Sequence, residues 1–364
     1  MPDPHKTTGR WTYIKLYLLA KLFHKVFILA KNVLKLLGKL PPFPSNLVRP
    51  HGEPLIIPSS KSHRRIRLTV YKNPAAVKAE KAGKSSAAHI HFYGGGYLFP
   101  HTPDQTLPLI ATLLAGTSTP LTVIDATYAL SPENPCPAEL EDARDIYDHL
   151  LAHPEKWDKD RITLSGCSSG GAVCLGLAVT LGKESRDAGR EERYSHPIKS
   201  IVVLYPMTNW VNFRQRNEVF LSSLPADHGD LMPDYVLDMI QAAHFFSPGG
   251  LSEEEEERRK RALERNPSVS PALADERDFP LRVGIWTTQW DVLRVDADEL
   301  RDRLERCEGV EEDGTVRVSG RMIMGVGHGW DGEAREGQLG WDERNEAYKD
   351  LIEAVGWTGK IHRD

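Results

Sequence analysis

Cysteine is scarce: four residues in 364, at Cys136, Cys167, Cys174 and Cys307. Their spacing fits neither a metal-ligand pattern nor a disulfide framework, which argues against a small secreted scaffold and for reduced, buried thiols in an intracellular protein. An excess of positive charge is also missing. Lys and Arg number 46 against 51 Asp and Glu, a net charge of -5, so the basic signature of a nucleic-acid binder is absent. Long apolar runs are lacking too. Between Trp11 and Leu40 the longest stretch without a charge or histidine is five residues, far short of the roughly 18 to 20 needed to span a bilayer. That segment has neither the unbroken apolar core nor the small-residue cleavage site of a signal peptide.

The same segment contains no acidic residue at all, while lysine recurs every four to six positions. At 100° per residue, Lys21, Lys25, Lys31, Lys35 and Lys39 share about 120° of arc, opposite Leu19, Leu22, Val26, Leu29, Val33, Leu37 and Leu40. A basic amphipathic helix over Trp11 to Leu40 is expected, ended by Pro41, Pro42 and Pro44. Three readings stay open: a helix lying in a membrane interface, which the pattern favours; a helix docked on the protein's own lid; and a spanning anchor or targeting signal.

Beyond the prolines, strand and helix patterns alternate. Glu53 to Pro58 and Arg64 to Tyr71 read as opening strands, and Asn73 to Ser86 as a polar loop. Ala87 to Tyr93, Leu121 to Tyr128, Ile198 to Tyr205, Leu281 to Trp286 and Val316 to Met324 read as further strands. Pro103 to Leu114, Ala138 to Leu151 and Trp341 to Val355 read as helices. This alternation implies a mostly parallel sheet. Pro206 to Pro280 interrupts it with aromatic and methionine side chains, from Met207 and Trp210 to Phe245 and Phe246, and reads as an inserted helical lid. Its aromatics suit the lid's own core and an apolar pocket equally. The run Glu253 to Arg261 reads as a solvated helix with i to i+4 ion pairs. The chain divides into 1–45, the basic helix and proline-rich linker, and 46–364, one catalytic domain carrying the insertion at about 206–280.

The chemistry concentrates at Arg161 to Gly176. Its centre, Gly166-Cys167-Ser168-Ser169-Gly170, follows an apolar strand and opens an apolar helix. Glycines two residues either side of a serine let strand double back into helix and lift the hydroxyl clear, so Ser168 is the candidate nucleophile. A serine needs a base, and the base a third group to hold its tautomer. His328, in the glycine-rich loop past the last strand, is the candidate base. Asp291, directly after the strand Leu281 to Trp286, is the candidate acid, ahead of Asp296 and Asp298 in the next helix and Asp275 and Asp278 before the strand. Gly94-Gly95-Gly96 and the N-H of Ser169 offer donors for an oxyanion; a plain glycine-rich turn is the alternative.

These pieces resemble the hormone-sensitive-lipase branch of the α/β-hydrolase superfamily, carboxylesterases with an HGGG motif. Matching stretches are Tyr93-Gly94-Gly95-Gly96, Tyr128-Ala-Leu-Ser-Pro-Glu133 with Pro137-Ala138, the Ser168 elbow, Asp291-Val-Leu-Arg294 and His328-Gly-Trp, spread from about Ile66 to the C-terminus. The resemblance implies an eight-stranded, mostly parallel sheet with helices on both faces and a helical lid. It also implies a triad of Ser168, Asp291 and His328, oxyanion donors at Gly95, Gly96 and Ser169, and hydrolysis of carboxylic esters without metal or organic cofactor. Three departures stand out. Tyr93 replaces the motif's histidine, Ser169 the usual alanine and Val292 the usual proline.

The expected activity is therefore cleavage of a small apolar ester or lactone through an acyl-enzyme, falling below about pH 6 to 7 as His328 protonates. A biosynthetic setting follows from resemblance alone. A non-hydrolytic acyltransferase or lyase, or a catalytically silent receptor, is the rival class. Expected partners are the ester substrate and, through residues 11–40, a membrane surface; nucleic acid is not among them.

Overall fold

The computed structural model describes residues 15, 17–22, 25, 26, 28, 29, 33, 36, 37, 43–190, 196–225, 232–247, 251–308 and 318–356. In chain order the elements are β1 (Glu53–Pro58), β2 (Arg65–Lys72), α1 (Pro74–Lys81), β3 (Ser86–Phe92), α2 (Pro103–Gly116), β4 (Leu121–Ala126), α3 (Ala138–Leu151), β5 (Trp157–Cys167), α4 (Ser169–Asp187) and β6 (Ile198–Leu204). There follow α5 (Phe213–Ser222), α6 (Asp234–His244), α7 (Glu253–Glu264), β7 (Arg282–Trp290), α8 (Arg294–Glu308), β8 (Val318–Ser319), β9 (Met322–Gly327), α9 (Trp330–Glu333) and α10 (Trp341–Gly356).

The strands form one sheet in the order β1-β2-β4-β3-β5-β6-β7-β8, with β9 also against β7. β1, β2 and β4 pair antiparallel and the rest parallel. Val318 lies opposite Val283 and Met322 opposite Thr287, so β8 and β9 are two lengths of one edge strand, interrupted at Gly320. The expected eight strand positions are therefore all occupied.

Successive residues of the inner strands serve opposite faces, as a period of two requires. Ile201 and Val203 join the larger core with α3, α4 and α8, whereas Val202 and Leu204 join the core under α2 and α10. Parallel strands run their carboxyl ends to one edge, and the turns after β3, β5, β7 and β9 gather there.

Two expectations need correcting. The stretch read as a polar loop contains α1. Asn73 caps it by accepting the Ala76 N–H, and Pro74 supplies a pre-set φ at the first helical position, a start signal that the polar lysines and glutamate obscured. Cys307 is exposed, because it lies in the last turn of α8, beyond Leu304, the final buried position among that helix's described side chains. Cys136 and Cys174 are buried as expected, and Cys167 is partly so.

The insertion between β6 and β7 holds α5, α6 and α7. Trp210, Phe213, Phe220, Phe245 and Met207 are buried in the core cluster, so most of these aromatics serve packing. α7 carries the Glu253 to Arg261 run on exposed faces with the expected Arg261–Glu257 pair, while Arg259 reaches inward to the Cys136 and Phe245 carbonyls. Much of Trp11 to Leu40 lies outside the described residues. The described positions from 15 to 36 are helical; Ala20 is buried and Lys21 pairs with Glu133 at 2.7 Å, beside the loop after β4. Leu19, Leu22, Val26, Leu29, Val33 and Leu37 are exposed.

Candidate active site

β5 delivers Ser168 to the carboxyl edge, and two glycines make the turn possible. A Cβ on Gly166 would stand 2.4 Å from the Gly170 carbonyl oxygen, and one on Gly170 would stand 2.2 Å from that of Phe92 on β3. Both are backbone atoms that cannot move aside, so the elbow packs against its neighbour strand only without side chains there. Ser168 itself takes φ +51°, ψ -123°, a strained conformation of the kind held at functional sites for about 1 to 3 kcal/mol. Its N–H is anchored by the Leu204 carbonyl.

Asp291 follows β7 and is buried, with Oδ1 accepting the Leu293 N–H at 2.9 Å. His328 follows β9, just before Gly329 turns at φ +81° into α9. His328 Nδ1 lies 2.7 Å from Asp291 Oδ2, and His328 Nε2 lies 2.9 Å from Ser168 Oγ. The carboxylate oxygen accepts, so Nδ1 carries the proton and Nε2 is free to accept from the serine hydroxyl. Burial lowers the imidazole's proton affinity, but the Asp291 charge and hydrogen bond, with the nearby Asp331 carboxylate, outweigh it and raise His328 above its ordinary value.

The three residues named from sequence thus meet in one hydrogen-bonded line. Asp296 does not approach it; that carboxylate receives Asn209 and Arg216. Gly96, at φ +56°, lies against Ile240 of α6, which brings the insertion over the glycine loop. The N–H groups of Gly96 and Ser169 have no acceptor among the described residues, whereas Gly95 N–H donates to Ser169 Oγ at 3.0 Å. Tyr93 donates its hydroxyl to the Phe99 carbonyl at 3.0 Å, tying the loop at the motif's histidine position.

Sequence reasoning missed Tyr205 and Asp331. Tyr205 lies edge-on to His328, with ring centroids 4.7 Å apart, and donates to Asp331 Oδ1 at 2.5 Å; Tyr348 donates to Oδ2 at 3.2 Å. The one available signal was a carboxylate three residues past the candidate base.

Among the described residues, donor atoms of Cys136, Glu139 and His244 lie within 4.8 Å of one another. Burial pushes the thiol up, the Glu139 carboxyl up to about 7 and the His244 imidazole down to about 3, and Arg259 donates to the Cys136 carbonyl beside them.

Sheet order, elbow and loop positions are those of an α/β hydrolase. A family model described as the alpha/beta hydrolase fold matches residues 89–331, and the chain belongs to that family. Over 122 residues it is 28% identical to a 3-O-acetylpapaveroxine carboxylesterase of Papaver somniferum, covering 30% of this chain and 39% of that one. Over 125 residues it is 30% identical to an esterase of Mycobacterium tuberculosis, covering 33% and 35%. The chain thus spans less than half the length of these curated relatives. Solved structures of similar fold include a Pyrobaculum calidifontis esterase (TM-score 0.60, 20% identity, 92% of each chain) and a Rhizomucor miehei esterase (TM-score 0.65, 16% identity, 95% and 96%).

Proposed function

We propose that the chain is a serine carboxylesterase working through an acyl-enzyme. The continuous line from Ser168 Oγ through His328 to Asp291 carries this reading. Ser168 attacks the ester carbonyl as His328 Nε2 takes its proton; the tetrahedral oxyanion forms against backbone N–H donors of the glycine loop and Ser169. The C–O bond then breaks, with His328 returning the proton to the leaving alcohol. Water repeats the sequence on the acyl-enzyme, releasing the acid and free Ser168. Asp291 holds the tautomer and balances the imidazolium.

A small ester with apolar bulk suits the site, since Ile240 and the buried aromatics of the insertion border the glycine loop. The Papaver somniferum relative, named a 3-O-acetylpapaveroxine carboxylesterase, supports a short acyl group such as acetyl. An acyl-chain series of 4-nitrophenyl esters tests the reading: turnover highest on short chains is expected, and absence of turnover on every chain would overturn it. Incorporation of oxygen from labelled water into the acid separates hydrolysis from acyl transfer.

We further infer that residues 11–40 hold the protein against an anionic membrane surface from an intracellular, reducing side. Among the described residues no helix is long and apolar enough to cross a membrane. The described members of the apolar row are instead left exposed, up to 65% at Leu29. Each lysine near such a surface contributes about 1 kcal/mol. Sedimentation with phosphatidylserine vesicles at low salt, lost on removing Met1 to Leu40, is the expected result; no binding by the full chain would refute it.

A further inference from the structure

Three consecutive glycines make a poor scaffold for an oxyanion hole, because glycine loses more backbone freedom on folding than any other residue. Something must hold this loop, and the sequence carries serine at 169 where alanine is usual. Gly95 N–H donates to Ser169 Oγ at 3.0 Å, Ser169 Oγ lies 3.0 Å from Tyr128 Oη, and Tyr128 Oη lies 3.1 Å from the Tyr93 carbonyl oxygen. The two ends fix the direction of every proton between them. An amide N–H only donates and a carbonyl only accepts, so Ser169 accepts from Gly95 and donates to Tyr128, and Tyr128 donates to Tyr93. The line begins and ends on the same loop, two residues apart.

The line is closed to solvent: Ser169, Tyr128 and Tyr93 are all buried. The Tyr93 and Tyr128 rings stack with centroids 4.8 Å apart. Burial pushes both phenols well above their ordinary values, so their protons stay in place across the working pH range. A Cβ on Gly94 would stand 2.9 Å from the Cys167 carbonyl oxygen, so the loop also touches the nucleophile's own strand.

We propose that the hydroxyls of Ser169 and Tyr128 are positioning residues that pin the oxyanion loop. They use the Gly95 amide as the anchor and leave the N–H groups of Gly96 and Ser169 as the working donors. Losing either hydroxyl opens the whole line, because each is both donor and acceptor within it. The idea rests on the esterase reading above.

Ser169→Ala, Tyr128→Phe and the double variant of the full chain test it with a short-chain 4-nitrophenyl ester. Removing an oxyanion donor costs about 10²- to 10³-fold in kcat, and loosening one should cost less, about 10-fold, with KM within about twofold. The double variant should be no slower than the slower single variant. An unchanged or faster Ser169→Ala enzyme, or a double variant whose loss is the product of the two, overturns the proposal. Tyr128→Phe keeps the stacked ring, so it gives a folded variant even where Ser169→Ala does not. Unfolding free energies of the same four proteins form a second cycle that needs no turnover. Coupled stabilities in a protein inert toward esters would refute the esterase reading and leave the line standing; active proteins with additive stabilities and additive kcat losses would do the reverse.

Discussion

Asp291→Asn isolates the role of the acid. Asp291 Oδ1 accepts the Leu293 N–H at 2.9 Å, and that contact dictates how an asparagine would sit: its carbonyl oxygen keeps the amide bond and its NH₂ takes the Oδ2 position, 2.7 Å from His328 Nδ1. The NH₂ then donates to Nδ1 and drives the imidazole proton to Nε2, which faces Ser168 Oγ as a donor and can no longer accept. A wrong-tautomer histidine costs on the order of 10⁴ in kcat, about 5.4 kcal/mol at 1.36 kcal/mol per decade. Asp296→Asn disturbs a carboxylate held by Asn209 and Arg216 and should cost less than about 10-fold. Initial rates on 4-nitrophenyl acetate at pH 8, with unfolding midpoints to confirm intact folds, measure both. Equal losses, or a larger loss for Asp296→Asn, would refute the assignment.

Protonated His328 cannot accept the serine proton, and its raised pKa places the acid limb of the rate profile above the ordinary imidazole midpoint; Asp331→Asn removes a neighbouring negative charge and should move that limb to lower pH. Profiles of kcat/KM for both proteins decide this, and an upward or absent shift contradicts it. Glu139 is raised by burial from 4.5 to about 7, so the stability of its neutral form is full below pH 4.5 and lost as pH rises toward 7. Glu139→Gln should therefore gain relative stability between pH 4.5 and 8, up to roughly 3 kcal/mol, in urea unfolding; a difference independent of pH contradicts it. Gly170→Ala would place a methyl 2.2 Å from a β3 carbonyl and should leave little folded protein, read by circular dichroism.

Much of the chemistry was legible in the chain because it is encoded locally. Gly166 and Gly170 flank Ser168 within one turn, and Asp291 and His328 each follow a strand whose apolar run announces it. The acid was chosen among five aspartates by its place at a strand end, and it is the one beside His328. α1 was not legible, since its lysines and glutamate give no apolar stripe and its start rests on one side-chain cap at Asn73. Contacts made across the fold were not legible either. Tyr128 reaches Ser169 over 41 positions and Tyr205 reaches Asp331 over 126. The departures at Tyr93 and Ser169 marked where such contacts had to be sought, but only packing reveals that both hydroxyls tie down the glycine loop.

The central claim is that Ser168 is the nucleophile. Intact-mass spectrometry after treatment with a fluorophosphonate probe reads it directly. The wild-type chain should gain one adduct, mapped to the peptide spanning Arg161 to Gly176, and Ser168→Ala should gain none and lose ester hydrolysis. An adduct of equal yield in Ser168→Ala, or on another residue of the wild type, would contradict the account.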